Sequence, residues 1–294
     1  MMAACFATGA MAQDSTATSS TPTTTLDDVE VTAAKTPAEV RREVEAFIEA
    51  NMAPPRGRPL ARWSKPICIG AAQLSPTYAQ AVIDRIATRI IEVGGDVAEP
   101  GCKVDIMVVG TDDGAAMAKA LVDTDPRGYR PARGSTDRGQ ASLEAFQRGD
   151  DPVRWWHVSM PVSADTGEIA IRLDGEDPPT IAVRQASHLR TNVREDLKRV
   201  VIIIDFTKVP SDVRLGALID YAAFLALAQV NPDGDASGQH SILNLFDNPT
   251  AYNGMTAWDV EYLSALYRSD SNYMGMGAQN RAIASEVLRD RRQD

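Results

Sequence analysis

The chain has 294 residues, which is enough for one large or two small domains with a substantial buried core. Its 44% hydrophobic and 24% charged residues are ordinary for a globular protein. Forty acidic residues against 30 basic ones give a formal net charge of −10, and this sign disfavours binding to nucleic acid. No apolar run approaches the roughly 20 residues that span a bilayer, so we expect no transmembrane segment.

The N-terminal residues have the composition of an export signal followed by a tether. Residues 1–12, MMAACFATGAMA, are small and apolar, and their Ala-Met-Ala ending fits a signal-peptidase site. The basic region of a signal is missing, so we interpret them as a signal-peptide remnant; the alternative is an ordinary frayed terminus. Residues 13–36 are rich in Ser and Thr without aromatics and predict a disordered linker. Together these features predict a periplasmic or secreted protein.

Cysteine usage agrees with export. Removal of residues 1–12 would take Cys5 with it and leave Cys68 and Cys102. A single pair in an exported protein suggests a disulfide, although two separate buried thiols are the alternative. Closing a loop of about 35 residues would stabilise the fold by roughly 3–4 kcal/mol.

Residues 37–59 are predicted to form an amphipathic helix and a proline-rich connector. Val40, Val44, Phe47 and Ile48 recur at helical spacing within residues 37–51. Four prolines and glycines then break the chain between residues 54 and 59. The sequence leaves open whether this helix docks on the domain or is a separate interaction element.

The remaining elements alternate between strands and helices. Strands are predicted over residues 66–74, 104–109, 153–162, 169–173 and 199–206. Helices are predicted over residues 75–93, 114–121, 140–146 and 212–230, and a further helix begins at Thr256. The run RVVIIIDF at 199–206 is apolar on both faces and predicts a central strand. We therefore expect an α/β (α+β) fold: a single domain over residues 60–294, with a twisted mixed sheet backed by helices and the 212–230 helix beneath a cleft.

Two adjacent tryptophans mark a candidate ligand contact. Trp155 and Trp156 lie on one predicted strand, so their side chains face opposite sides of the sheet. If one is exposed beside a cleft, it could hold an extended peptide or a glycan together with His157. The alternative is core packing, which is the commoner fate of tryptophan.

The C-terminal third has an order of elements known from zinc peptidases. The apolar helix at 212–230 leads into a polar turn, a Ser-Ile-Leu-Asn segment at 241–244, and a helix that begins Met-Thr-Ala-Trp-Asp at 255–259. Thr256 and Asp259 form a capping-box pair at the start of that helix. This order resembles the active-site half of metzincin-type, matrixin-like zinc peptidases over about 55 residues.

The ligands of that family are missing. Zincins bind zinc through HExxHxxGxxH, and the corresponding positions here are Asp220, Tyr221, Phe224, Leu227 and Val230. Phe224 and Val230 offer no electron pair, and Tyr221 stands where the general base would be. The resemblance therefore implies a degenerate zincin-like domain with no catalytic residues, no metal and no other cofactor.

This resemblance implies an exported, catalytically inactive protein that acts as a binding or structural module of the cell envelope. Its partner would be an extended peptide or an envelope protein. The chain is also similar to an uncharacterised family of exported bacterial proteins with the same Cys-strand-helix-strand half. The alternative is a metal-dependent hydrolase or peptidase with an unconventional site around Asp220 and His240.

One further metal pattern is weak. Asp233, Asp235, Ser237 and Gly238 imitate the start of a calcium loop, but Asn244 stands at the twelfth position, where a bidentate glutamate is needed. A polar turn is the simpler interpretation. The three histidines lie in unrelated segments and do not predict a zinc site: His157, His188 and His240.

Overall fold

The computed structural model of this protein describes residue 1 and residues 35–132, 136–181 and 190–292. Residues Thr36–Asp294 form one compact unit, and within it the predicted mixed α/β fold is confirmed. Its sheet has four strands: β1 (Ile69–Ala72), β2 (Ile106–Thr111), β3 (Val153–Ser163) and β4 (Val193–Asp205). Their order across the sheet is β1-β2-β4-β3. Strands β1, β2 and β4 are mutually parallel, and the edge strand β3 runs antiparallel to β4.

Helices cover both faces of the sheet. One face carries α1 (Pro37–Asn51), α2 (Pro76–Glu92), α6 (Leu215–Leu227), α7 (Ala257–Arg268) and α8 (Met276–Asp290). The other carries α3 (Gly114–Thr124), α4 (Pro126–Tyr129) and α5 (Gln140–Arg148). The central position of β4 follows from its sequence, since Val200, Ile202 and Ile204 pack into the first layer while Val201 and Ile203 pack into the second.

Helix α6 is the buried centre of the first layer. Every residue from Ala217 to Leu227 is buried, so the helix is enclosed on all sides. It is shorter at both ends than the predicted 212–230. At its start, residues 211–213 form a turn instead of helix. At its end, the chain becomes extended from Ala228, and Val230 forms a β-bridge with Met52.

Helix α1 docks on the domain. A capping box of Thr36 and Glu39 begins it, and Val44, Phe47 and Ile48 are buried in the core. At its end, the Asn231 amide donates to the Asn51 carbonyl at 2.8 Å. The chain that follows α1 is thereby tied to the chain that follows α6.

Other expectations need correction at the level of elements. The 66–74 strand is reduced to Ile69–Ala72, and residues 169–173 make one isolated bridge, between Ile169 and Val162, instead of a strand. Helices α4 and α8 were not predicted.

The predicted disulfide between Cys68 and Cys102 is confirmed, with the two Cα atoms 5.9 Å apart. It joins the residue before β1 to the loop before β2. Within the described residues, no helix combines the length and apolar character needed to cross a membrane. The predictions for the signal remnant at 1–12 and the linker at 13–36 lie outside the described residues, apart from residues 1, 35 and 36.

Candidate binding groove

Asp220, at the first zinc-ligand position of the zincin frame, is held by two arginines of α2. Arg85 donates through Nε and Nη2 at 2.7 and 2.8 Å, and Arg89 donates through the same two atoms at 3.0 and 2.6 Å. The Met255 amide adds a fifth donor at 2.8 Å. These bonds occupy all the acceptor sites that a carboxylate offers.

The charges around Asp220 exclude a cation there. Burial by itself raises the pKa of Asp220, but the hydrogen bonds from Arg89 and Arg85 outweigh this and hold the pKa below its usual range. A metal ion would have to displace two guanidinium groups and then remain beside them. The arrangement is that of a structural ion-pair cluster that fastens α6 to α2.

The other positions of the frame are filled with hydrocarbon. Tyr221 packs edge-on against Trp155 and Phe246, while Phe224 stacks on Tyr262 with the ring centroids 6.1 Å apart. Tyr221, Phe224, Leu227 and Val230 are all buried. These side chains therefore pack into the core, and of these positions only Val230 lines the groove described below.

The last turn of α6 is capped by side chains from three other segments. His157 Nε2 lies 2.7 Å from the Leu225 carbonyl, Trp63 donates to Ala226 at 2.9 Å, and Tyr267 donates to Leu227 at 3.2 Å. These carbonyls would otherwise be unsatisfied at a buried helix end. His157 is fixed in this capping role, and burial lowers its pKa to about 4, so the ring is neutral and carries its proton on Nε2.

The remaining metal candidates are dispersed. His240 is exposed and stacks on Tyr252, and its carbonyl accepts from Thr256. Asp235 accepts from the Ser237 amide in a polar turn, and Asn244 directs its amide nitrogen at two carbonyls. No group of three or more His, Cys, Asp or Glu side chains in the described residues could hold a metal ion. His188 lies outside the described residues.

A groove of about 180 Å³ lies beside the first half of β3. One wall is α5, with Ser142, Ala145 and Phe146, and the other is the chain after α6, with Val230 and Asp233. Arg138 and Asp151 also line it. The structure thus brings the predicted ligand contacts Trp155, Trp156 and His157 to one site, together with the third-ligand position of the zincin frame.

The outer edge of β3 faces this groove. In an antiparallel ladder, alternate residues direct both backbone polar groups to the partner strand. The Asp205 amide donates to the carbonyl of Pro152, the residue directly opposite it. The even-numbered residues of this part of β3 therefore direct their N–H and C=O groups to β4. The odd-numbered residues Val153, Trp155 and His157 direct theirs away from β4, to the outer edge. Beyond a bulge at Val158/Ser159 the same edge is occupied, because the Ser159 amide donates to the Thr136 carbonyl.

The two tryptophans face opposite sides of the sheet, as predicted. Trp155 packs against α6 and donates to the Val230 carbonyl, and Trp156 packs against α5 and donates to the Tyr129 carbonyl. Neither is exposed, since only 9% and 4% of their surface is accessible. Each tryptophan is therefore held in place by its packing and by its indole hydrogen bond, and both line the groove at the edge of β3.

The sequence reasoning missed the cationic residues. Arg85 and Arg89 lie one turn apart within the apolar stripe of α2, a signal that buried acceptors were needed nearby. Arg154 directly precedes the two tryptophans on β3 and is 4% exposed. An arginine inside such an apolar strand is itself unusual.

Comparisons with protein-family models, with curated proteins and with solved structures found no match to this chain.

Proposed function

We propose that this protein is an exported, non-catalytic binding module built on a degenerate zincin-like domain, and that it binds an extended peptide along the groove at the edge of β3. The observation that carries the proposal is the outward-facing backbone of Val153, Trp155 and His157 beside a groove. Unpaired strand edges recognise extended peptides through main-chain hydrogen bonds, and flanking side chains supply pockets.

The lack of catalysis is supported by the residues at the zincin positions. Asp220 is saturated by Arg85 and Arg89, and Phe224 cannot coordinate a metal. Val230, at the third-ligand position, still borders the groove. Binding therefore fits what remains of the frame better than metal-assisted hydrolysis does.

Export is supported by the disulfide, because such bonds persist in oxidising compartments and are rare in the cytosol. An envelope or secreted setting would also offer extended peptide segments as ligands.

Hydrogen exchange tests strand addition directly. A pool of random pentapeptides with acetylated and amidated ends should slow exchange of the Trp155 and His157 amides, since these would donate to the peptide. The same pool with every backbone nitrogen methylated should give no protection, because neither edge of the peptide can then donate to β3. Equal protection by the two pools, or protection elsewhere only, would refute strand addition.

A groove-blocking variant makes the test specific. Ala145→Phe places a ring on the α5 wall of the groove and should abolish the protection. Ala141→Phe lies one turn earlier on the same helix and does not line the groove, so it should bind as the parent does. Stoichiometric zinc that is lost on Asp220→Ala or His240→Ala would instead favour the metal-dependent hydrolase.

A further inference from the structure

A second cavity, of about 650 Å³, lies at the N-terminal end of β2, on the face of the sheet that carries α4. Its walls come from the residues before β2, from α4 and from the middle of β3 and β4. It shares no residue with the groove beside the first half of β3. Its volume is within the range of about 300–1,000 Å³ that is typical of small-molecule sites.

This cavity, which we call the basic pocket, carries an excess of positive charge in a protein whose formal net charge is −10. Two carboxylates line it, those of Asp105 and Asp125. Five cationic side chains line it as well: Lys65, Lys103, Arg127, Lys198 and Arg199. A local reversal of the overall charge attracts anions to this part of the surface.

Three of the five cations have a carboxylate partner. Lys65 lies 2.7 Å from Asp105, and Arg199 lies 2.6 Å from Asp125. Lys198 lies 3.6 Å from Asp196, which is outside the basic pocket.

Lys103 and Arg127 are left without such a partner. Both are exposed, and no described carboxylate lies within 4 Å of either one. The pKa of Asp125 is lowered mainly by the hydrogen bond from Arg199, and the charge of Lys103 adds to this effect. Lys103 therefore acts on the same end of the pocket as the paired Arg199, and its charge is available to a further anion.

The backbone that carries these two cations is held in place. Lys103 directly follows Cys102, which is bonded to Cys68, and the Asp105 amide donates to the Cys68 carbonyl at 2.9 Å. Arg127 lies in α4, where the Asp125 side chain accepts from the Gly128 amide at 2.9 Å. A ligand would thus have to order only the two side chains, which reduces the entropic cost of binding.

The floor of the basic pocket is apolar. Val104 is 38% exposed, and Met107, Met160 and Ile169 are only partly buried. Burial of such surface is favourable, and methionine side chains adapt to the shape of an aliphatic group. The pocket therefore combines unpaired cations with an accessible hydrocarbon surface.

We propose that the basic pocket binds a small amphiphilic anion, a molecule with one anionic head group and a short aliphatic body. The head group pairs with Lys103 and Arg127, and the body covers Val104, Met107 and Met160. The ligand is a free small molecule, because the net charge of −10 opposes approach to an anionic membrane or to nucleic acid.

Matched probes test the two halves of this ligand. In calorimetric titrations, octanoate should bind about tenfold or more tightly than 1-octanol, because hydrogen bonds to charged groups are the stronger ones. From butanoate to octanoate, affinity should rise by up to about fourfold for each added CH₂. Equal binding of octanoate and 1-octanol would overturn the anion site, and equal binding of butanoate and octanoate would overturn the apolar floor.

Two double variants locate the site. Lys103→Gln with Arg127→Gln removes the unpaired cations without breaking a described ion pair, and should lower the affinity for octanoate to that for 1-octanol. Arg41→Gln with Arg42→Gln removes two exposed cations of α1 and changes the net charge equally, so it should bind octanoate as the parent does. Equal losses in the two double variants, or a loss in neither, would overturn the proposal.

A measurement on the parent does not depend on how well a variant folds. Octanoate should shift the backbone amide resonances of residues 103–107 and 158–160, and shifts confined to other residues would overturn the site. If octanoate does not bind but peptides still protect the edge of β3, the basic pocket is refuted and the peptide-binding function is not. If octanoate binds and peptides do not, the reverse holds.

Discussion

Asp220 and Arg154 are buried ionised side chains on opposite faces of the same sheet, and they differ in what surrounds them. Asp220 receives five hydrogen bonds, four of them from arginines, and 0% of its surface is accessible. Arg154 is nearly as buried but keeps two donors without a partner in the described residues.

This difference separates a buried charge that stabilises the fold from one that costs stability. A buried charge whose partners are all supplied by the fold holds elements together, and Asp220 does so for α2, α6 and the start of α7. A buried charge that the fold leaves with few partners, as at Arg154, loses its hydration without full compensation and therefore costs stability.

The largest effect is expected at Asp220. Asp220→Ala leaves Arg85 and Arg89 without their carboxylate and should reduce the free energy of unfolding by about 3–5 kcal/mol. The lower end is favoured because both arginines can turn toward water, with 36% and 19% of their side chains already accessible. Urea denaturation measures the change, and Asp212→Ala, at an exposed position before α6, should stay within about 0.5 kcal/mol.

The same variant has a signature in pH. The pKa of Asp220 is lower in the folded state than in the unfolded chain, so its contribution to stability is present above about pH 4 and is lost as pH falls. Asp220→Ala should therefore lose less stability than the parent on acidification. An effect of Asp220→Ala that depended on a chelator would instead make Asp220 a metal ligand and reverse the comparison.

His157 lies where the two regions meet, since it caps α6 and lines the groove. Burial lowers its pKa from 6.5 to about 4, so between these values the unfolded chain binds more protons. The parent should therefore lose stability as pH falls through this window, by about 3 kcal/mol from this residue. His157→Gln can still donate to Leu225 and should remove that component.

The control for His157 is to subtract the pH profile of the stability of His157→Gln from that of the parent. Glu195 has a pKa raised by burial to about 7, so its contribution has the opposite sign and weakens the fold as pH rises from about 4.5 to 7. This term is common to the parent and to His157→Gln and cancels when the profiles are subtracted. A difference that is flat from pH 4 to 6.5 would show that the ring is not held neutral.

A smaller effect is expected from the glycine beside Asp220. A Cβ at Gly254 would lie 2.3 Å from Asp220 Oδ2 and 2.9 Å from Arg85 Nη2, so Gly254→Ala must displace the ion pair. We expect a loss of about 1–3 kcal/mol. Gly238→Ala, where nothing lies within 4 Å, is the matched control. Equal stability of the two variants would mean that the Asp220 cluster tolerates rearrangement.

Much of the fold was accessible from local signals. The Ser75-Pro76 start, the apolar stripe of α2 and the glycines after it predicted that helix to within one residue at its C-terminal end. The run of β-branched residues at 200–204 predicted a central strand, because a strand buried on both faces needs apolar residues at every position. The disulfide between Cys68 and Cys102 was correctly predicted from the number of cysteines and from the expected export of the protein.

The polar partners were not accessible in this way. Arg85 and Asp220 are 135 positions apart, and no periodicity or spacing relates them. Likewise, the Nε/Nη2 edge of Arg154 lies against Gly114 at the start of α3, 40 positions earlier in the chain, and no sequence pattern relates the two. Hydrophobic pattern determines which layer a residue joins, but the pairing of buried charges is decided by tertiary contacts. The sequence pattern around Asp220 therefore did not reveal the two arginines that bind it.

The smallest effect tests whether an unpartnered buried polar atom costs stability. The Tyr262 hydroxyl is buried without a partner among the described residues, but it is uncharged and lies in the core against Phe47 and Phe224. Tyr262→Phe removes the unsatisfied group and keeps the ring, so stability should be unchanged or rise by about 1 kcal/mol. Peptide affinity should not change, because Tyr262 does not line the groove. If Tyr262→Phe weakened the fold, the hydroxyl would contribute to stability despite having no partner among the described residues, and the cost assigned to the unpartnered nitrogens of Arg154 would lose its basis.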